Sequence, residues 1–419
     1  MAIAPQSVVQ PCVVLPEGQL VTAVADSFPL AALQRQFKSL VDDLRVQARE
    51  LPELCAWLDK QYHAAKASRR TGAVFEVWLE EQLDQAAAAW LLNTVFVRFC
   101  EDNDLVSRVW LAGPDGRTEA AAEAQTAYFM QHPLHNDRHW MLTAFSHLRE
   151  LPATAGIFGG RNPVWHFPIS GDAAANLVHF WRRGAGVCSF VDKDTRFLGD
   201  LYQDLSQEAR KRYALLQTPE FVEEFILKLT LDSSLKEYGL EETSLIDPTC
   251  GSGHFLLGAF ERLHEQWKCE FPDLDRRVRV QSVLDQVTGV DINPFAVMIA
   301  KFRLMVAALN ACGERSLERA PGFRFRLAAG DSLLHWHKGS AVHQGDLIEM
   351  AGGREAFAYF AEDAELLVEY LRPGRYTVAV GNPPYITVKD RAHSEEYRKI
   401  YKTCSGKVTV QLSAQVSAR

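Results

Sequence analysis

Four short segments carry residue types from which a reaction site could be built. The first reads Asp247-Pro248-Thr249-Cys250-Gly251-Ser252-Gly253. Two glycines within three residues supply unusual dihedrals and let the backbone approach a ligand closely. The helix expected next offers free N–H groups at its start. Asp247 can accept hydrogen bonds from a ligand ammonium or its bound water. GSG by itself is an ordinary tight turn; the acid before it and the strand expected to lead into it favour a ligand loop. The second segment, Gly289-Val290-Asp291-Ile292-Asn293-Pro294, has an acid that can accept both hydroxyls of a ribose. Ile292 beside it can lie on the face of an adenine. Asp291 or Asn293 before Pro294 serves equally well as a helix cap. The third, Gly330-Asp331-Ser332-Leu333, offers an acceptor for an adenine amino group, or again a cap.

The fourth segment, Gly381-Asn382-Pro383-Pro384-Tyr385, is the most specific. Pro383 and Pro384 stiffen the chain and remove two N–H donors. The Asn382 side-chain oxygen and the Pro383 carbonyl can then act as paired acceptors for one planar amino group. Drawing its hydrogens toward the protein raises electron density on nitrogen and frees the lone pair to attack an electrophilic methyl. Tyr385 supplies an aromatic face for an extruded base. The alternative is a rigid loop with a buried tyrosine.

Other patterns take a plainer meaning. A nicotinamide fingerprint needs GxGxxG with an acid about 20 residues on; here only GxG is present and Asp291 lies 38 residues past Gly253. No GK[ST] follows, which excludes a Walker loop. His135 and His139 have i, i+4 spacing beside His132, but with no HExxH and no nearby cysteine no metal site is expected. His335 and His337 flank a tryptophan and are expected in a polar turn. Cys250 has no base beside it in sequence and is expected to pack rather than to act as a nucleophile.

These segments need elements to position them. Ser244 to Ile246, Gln286 to Val290, Phe323 to Ala328 and Tyr376 to Val380 are the expected strands. Helices are expected over about His254–Cys269, Pro294–Ala311 and Arg354–Tyr370, and strands alternating with helices argue for a parallel sheet covered on both faces. The chain before about residue 210 is mostly helical. Val74 to Cys100 has apolar residues at three- and four-residue spacing without Gly or Pro, and Leu33 to Arg49 is a second candidate. Residues 112–117 and 156–163 are loops, marked by Gly, Pro and Asp. The boundary is placed near residue 205.

Composition bounds the rest. At 419 residues the chain has room for two to three domains, and 47% hydrophobic with 23% charged residues excludes wholesale disorder. A formal net charge of −8 argues against a nonspecific nucleic-acid coat, not against one local basic face. Residues 387–419 hold seven basic and three acidic side chains, more often a solvated surface than a binding site. Eight scattered cysteines without a CxxC fit a reducing cytoplasm. No run reaches the ~20 apolar residues of a membrane span, because Lys301 and Arg303 break Phe295–Ala311. No membrane partner is expected.

Together the four segments resemble the amino-directed, S-adenosylmethionine-dependent methyltransferases, and more closely the N6-adenine DNA methyltransferases of NPPY type. DPTCGSG is similar to their cofactor loop and GNPPY to their catalytic loop. Tyr213 to Val222 is similar to the segment whose turn at Thr218-Pro219 and following helix close over the cofactor's methionine end. FVRFCEDNDL, DTRFLGDLYQDLSQEARKRYALLQTPEF and VGNPPYITVKDR resemble the PglX methyltransferases of BREX phage-defence systems. The resemblance implies a Rossmann-like α/β methyltransferase sheet over 206–407, preceded by a helical N-terminal domain over 1–205, with an atypical tail at 408–419. It implies that Thr218, Pro219, Asp247, Gly251 and Gly253 hold the cofactor's amino-acid end. Asp291 and Ile292 take the ribose and adenine side, Asp331 the cofactor adenine, and Asn382, Pro383, Pro384 and Tyr385 the target adenine. The implied reaction is in-line methyl transfer to N6, without a metal, on double-stranded DNA. Enzymes with this loop also methylate RNA bases or a glutamine amide, and a catalytically silent cofactor-binding module is the remaining alternative.

The family's catalytic domain continues past NPPY with at least three more strands and a DNA-recognition region, whereas 34 residues follow Tyr385 here. The chain is therefore expected to be the N-terminal portion of a larger enzyme, with its sheet incomplete at the C-terminus and its fourth strand an open edge. A complementing C-terminal polypeptide or other phage-defence subunits are the partners this would require.

Overall fold

The computed structural model describes residues 30–67, 71–113, 117–183, 189–191, 193–205, 218–335, 363–383, 395, 397 and 398. The expected roles of Pro384 and Tyr385, and the tail at 408–419, lie outside these residues. Among the described residues seven α-helices come first: α1 Leu30–Glu50, α2 Pro52–Ala67, α3 Phe75–Asp102, α4 Arg117–Gln131, α5 Asp137–Glu150, α6 Gly171–Arg183 and α7 Phe197–Leu205. After α8 (Glu220–Tyr238) strands and helices alternate: β1 Leu245–Asp247, α9 His254–Glu270, α10 Arg276–Gln286, β2 Val287–Asp291 and α11 Pro294–Cys312. Then follow β3 Arg326–Ala329, α12 Ser332–His335, α13 Ala364–Tyr370 and β4 Val378–Ala379. The four expected strands are present; β1 and β2 keep their expected length one residue further on, and β3 and β4 are shorter than their apolar runs. His335 ends the short helix α12 rather than lying in a turn, because Asp331 accepts from the N–H of Leu333 and starts a helix there. Helix α10 was not anticipated; its charged start (RRVR) hides it, and Asp275 caps it through Arg277 N at 2.9 Å and Val278 N at 3.2 Å.

The sheet is parallel throughout, in the order β3-β2-β1-β4. Among the described residues β3 and β4 are its edges. Successive residues face opposite sides. Ile246, Val290 and Ala328 meet Leu367, Tyr370 and Leu371 on one face. Leu245, Val287 and Leu327 join the larger core on the other. That core runs without a break into the helical half: Phe96 and Phe99 of α3 pack on Phe302 of α11, with ring centres 4.3 and 5.5 Å apart.

Helix α11 shows how local signals place an element. Asn293 accepts from Phe295 N at 3.0 Å, Pro294 occupies the first turn, and Gly313 stops the helix in the left-handed region at φ 69°. Its 19 residues are long and apolar enough, at a mean hydropathy of 1.6, to cross a membrane. Here the helix lies between α3, the sheet and α9, with Phe295, Ile299, Phe302 and Met305 buried. Arg303 does not break the apolar face; it is turned inward, 2% exposed, and donates to the Ser252 carbonyl at 2.7 Å.

Candidate active site

In a parallel sheet all strands end on one edge, and β1 ends at Asp247, β2 at Asp291, β3 just before Gly330-Asp331 and β4 just before Gly381. The chain runs from β1 outward through β2 and β3, then returns to lay β4 on the other side of β1. That reversal opens a crevice between the β1 and β4 loops, where ligands of open α/β sheets bind.

The first loop is tied down from several sides. Cys250 N donates to Val290 O at 2.9 Å, Gly251 N to Asp291 Oδ2 at 2.8 Å, and Gly253 N to Cys250 O at 2.9 Å. Gly251 and Gly253 have φ of 52° and 85°, which glycine adopts without strain, and a Cβ on Gly253 would lie 3.0 Å from Ala300 Cβ. With the Arg303 bond to Ser252, the loop is fixed before any ligand arrives. Of the two cap candidates Asn293 caps α11, and Asp291 bridges loops, its Oδ1 taking Asn293 N at 2.8 Å. Each Asp291 oxygen keeps a second lone pair. Ile292 beside it is 40% exposed.

Asp247 is 1% exposed and accepts from Thr249 N at 3.0 Å, its one backbone donor. Burial, with the nearby Asp291 charge, pushes its carboxyl up to about 8. Burial raises Asp291 to about 6. A site with such acids fits a ligand that brings positive charge and hydroxyls. Cys250 is 5% exposed, and burial followed by the charges of Asp291 and Asp247 raises its thiol well above the ordinary range, so it packs as an inert side chain.

The second loop meets the first. A Cβ on Gly381 would stand 2.9 Å from both Asp247 Oδ1 and Thr249 Oγ1, so only a residue without one fits. Next to it, Asn382 Nδ2 donates to Thr218 Oγ1 at 3.3 Å across 164 residues of sequence. Thr218 and Pro219 lead into α8. Thus Thr218, Asp247, Gly381 and Asn382 converge at the crevice, while Asp291 and Asp331 lie along the same edge toward β3. Pro383 follows Asn382, half-buried.

Several residues at this edge carried no sequence signal. Tyr202 of α7 pairs with the Asn293 side chain at 3.2 to 3.3 Å, so the helical half reaches the β2 loop. His254, at the start of α9, is 8% exposed, and neither ring nitrogen has a hydrogen-bond partner among the described residues. Burial, then Arg303 and Arg196, lower it to about 3, so the ring is neutral. Glu223 of α8 is 3% exposed, bonded to Arg196 at 3.4 Å, and burial raises it to about 7. A groove of 1860 Å³ between the helical half and α9–α11 is lined by Arg196, His264 and Arg303 but by none of the motif acids. The histidine cluster in the helical half is structural: His139 completes the cap of α5 with Asn136, and His135 bonds Tyr128 at 2.7 Å.

Residues 285–412 match the Eco57I restriction-modification methylase family. A Streptomyces coelicolor protein named adenine-specific methyltransferase PglX is 45% identical over 404 residues, covering 91% of this chain and 33% of that protein. The chain resembles an adenine-specific methyltransferase. The resemblance drawn from the motifs is borne out, and the chain spans about a third of the length of this PglX relative. Two solved structures are also similar. The type IIL restriction-modification enzyme MmeI in complex with DNA has a TM-score of 0.47 at 14% identity, over 92% of this chain and 47% of that one. The DrdV–DNA complex has a TM-score of 0.47 at 12% identity, over 93% and 33%.

Proposed function

We propose that this chain carries the cofactor and acceptor sites of an S-adenosylmethionine-dependent methyltransferase that modifies adenine N6 in double-stranded DNA, on a Rossmann-like sheet and in the cytoplasm. The observation that carries this reading is the meeting of Asn382 with Thr218, beside the contact of Gly381 with Asp247. It sets a loop suited to grip an amino group against a loop suited to hold a cationic ligand. The donor set fits S-adenosylmethionine: Asp247 for the ammonium, Asp291 for the ribose hydroxyls, Asp331 for the base, with Ile292 against the ring. When bound, that cofactor supplies an electrophilic methyl group. Asn382 and the Pro383 carbonyl accept from the target amino group and orient its lone pair. Positioning and preorganised acceptors supply the rate, and no covalent enzyme intermediate is needed. The 45% identical relative is named for adenine-specific methylation, which supports the acceptor.

Two measurements test this. Calorimetry should detect S-adenosylhomocysteine binding to the chain, weakened by Asp291→Ala; tighter binding of NADH would overturn the cofactor. Mass spectrometry of nucleosides after incubation with labelled cofactor and genomic DNA should place the methyl on adenine N6, and label on cytosine C5 would overturn the acceptor.

A further inference from the structure

Asp331 is gripped from two sides. Its Oδ1 accepts from Leu333 N at 2.8 Å, and its Oδ2 accepts from the phenol of Tyr397, 66 residues further along the chain. Asp331 is 5% exposed and Tyr397 2%. The strand exit that delivers Asp331 is clamped as well. Ala329 N donates to Asp363 Oδ2 and Asp363 N to Ala329 O, both at 2.9 Å, while Gly330 N donates to Asp291 O at 2.8 Å. The other Asp363 oxygen takes the guanidinium of Arg161 from the helical half.

We infer that Tyr397 is a positioning residue that holds the Asp331 carboxylate in one plane, and so makes the site selective for a purine with an exocyclic amino group. The inference rests on the reading of Asp331 as the acceptor for the cofactor's base. A carboxylate turns easily about its last torsion. A donor on each oxygen removes that freedom. A carboxylate fixed in this way attracts an amino group and repels a carbonyl oxygen at the same position. Without the phenol, the carboxyl loses one of the two donors that fix its plane and can turn a different oxygen toward the base. Affinity for adenine and discrimination against hypoxanthine then fall together.

The test is calorimetry on the 419-residue chain with S-adenosylhomocysteine and S-inosylhomocysteine as paired probes. Tyr397→Phe keeps the ring and its packing and removes the hydroxyl. It should raise the Kd for the adenine ligand about three- to tenfold, the range for one charge-assisted hydrogen bond acting through a neighbour. The Kd for the hypoxanthine ligand should change little, so the preference shrinks by the same factor. Equal losses for both ligands would make Tyr397 merely structural and overturn the inference. Tighter binding of the adenine ligand would also overturn it, because the phenol would then be competing with the base for Asp331. Asp331→Asn separates the layers. If it changes neither affinity nor preference, the reading of Asp331 fails and the inference with it. If it lowers both while Tyr397→Phe lowers neither, only the inference fails.

Discussion

Two buried carboxylates, one in each half of the molecule, have opposite surroundings. Glu101, at the end of α3, is fully buried and accepts four backbone N–H groups: Trp110 and Leu111 on one oxygen at 2.6 and 2.8 Å, Ala112 and Gly113 on the other at 3.0 Å each. Beside it Arg98 and Asp102 form a closed ion pair at 2.9 Å, and Asp102 takes Phe190 N. Asp247 is as deeply buried and has a single backbone donor. The first acid is saturated by its own chain and folds a loop. The second accepts only from Thr249 among the described residues, and burial with the nearby Asp291 charge raises its pKa. The carboxylate of the FVRFCEDNDL segment thus holds its own loop together, whereas that of DPTCGSG is bonded only locally among the described residues.

The contrast can be broken most forcefully at Glu101. Glu101→Ala leaves four buried N–H groups without acceptors, and we expect a loss of about 4 kcal/mol or more, at ~1–3 kcal/mol for each group left unsatisfied. Urea unfolding measures it; a change under 1 kcal/mol would show that the loop does not depend on the carboxylate. At the other site Asn382→Ala should lower methyl transfer about 10²–10³-fold with cofactor affinity nearly unchanged, read by labelled-methyl incorporation beside calorimetry. Loss of cofactor binding instead would move Asn382 to the cofactor.

Asp247 gives a pH signature. Its folded pKa of about 8 is above the ordinary 3.8, so its contribution to stability is fully present below about 3.8 and is lost as pH rises through about 8. Asp247→Asn abolishes this dependence, so the variant should gain on the parent by up to about 1.4 kcal/mol per pH unit across that window. The same variant should bind S-adenosylhomocysteine at least about tenfold more weakly. In the parent, binding near neutral pH should release a proton, seen as a dependence of the binding enthalpy on the buffer's ionisation enthalpy; no such dependence would mean that Asp247 is already ionised. The smallest effect is expected at the bridge between halves. Tyr202→Phe removes one neutral hydrogen bond to Asn293 and should cost about 0.5–1.5 kcal/mol, measured by urea unfolding.

Much of this was legible in the sequence because local chemistry announces it. The apolar runs before Asp247, Asp291, Asp331 and Gly381 mark strands, and acids at their ends mark one edge. Asn293-Pro294 at the start and Gly313 at the end delimit α11. Strand order is not local, so the placement of β4 beside β1, on which the meeting of Asn382 and Thr218 depends, left no trace in spacing. Charged residues inside apolar runs also mislead. Arg303 looks like an interruption of a hydrophobic helix, but its guanidinium is turned inward and donates to Ser252, 51 residues away. Tyr397 and Asp363 act through partners distant in sequence, and neither residue type alone points to a site.

The return of the chain to β1 also sets an order of events. Strands β1, β2 and β3 and their helices lie within residues 245–329, and each neighbouring pair closes a loop of moderate length. β4 pairs with β1 across 133 residues, as Leu245 aligns with Val378. Contacts of long sequence separation form late because their loop entropy is met before any pairing offsets it. On a ribosome the constraint is stricter, since Val378 cannot pair before it has been made. The half of the molecule suited to hold the methyl donor therefore takes shape first, and the loop suited to present the acceptor docks onto it last.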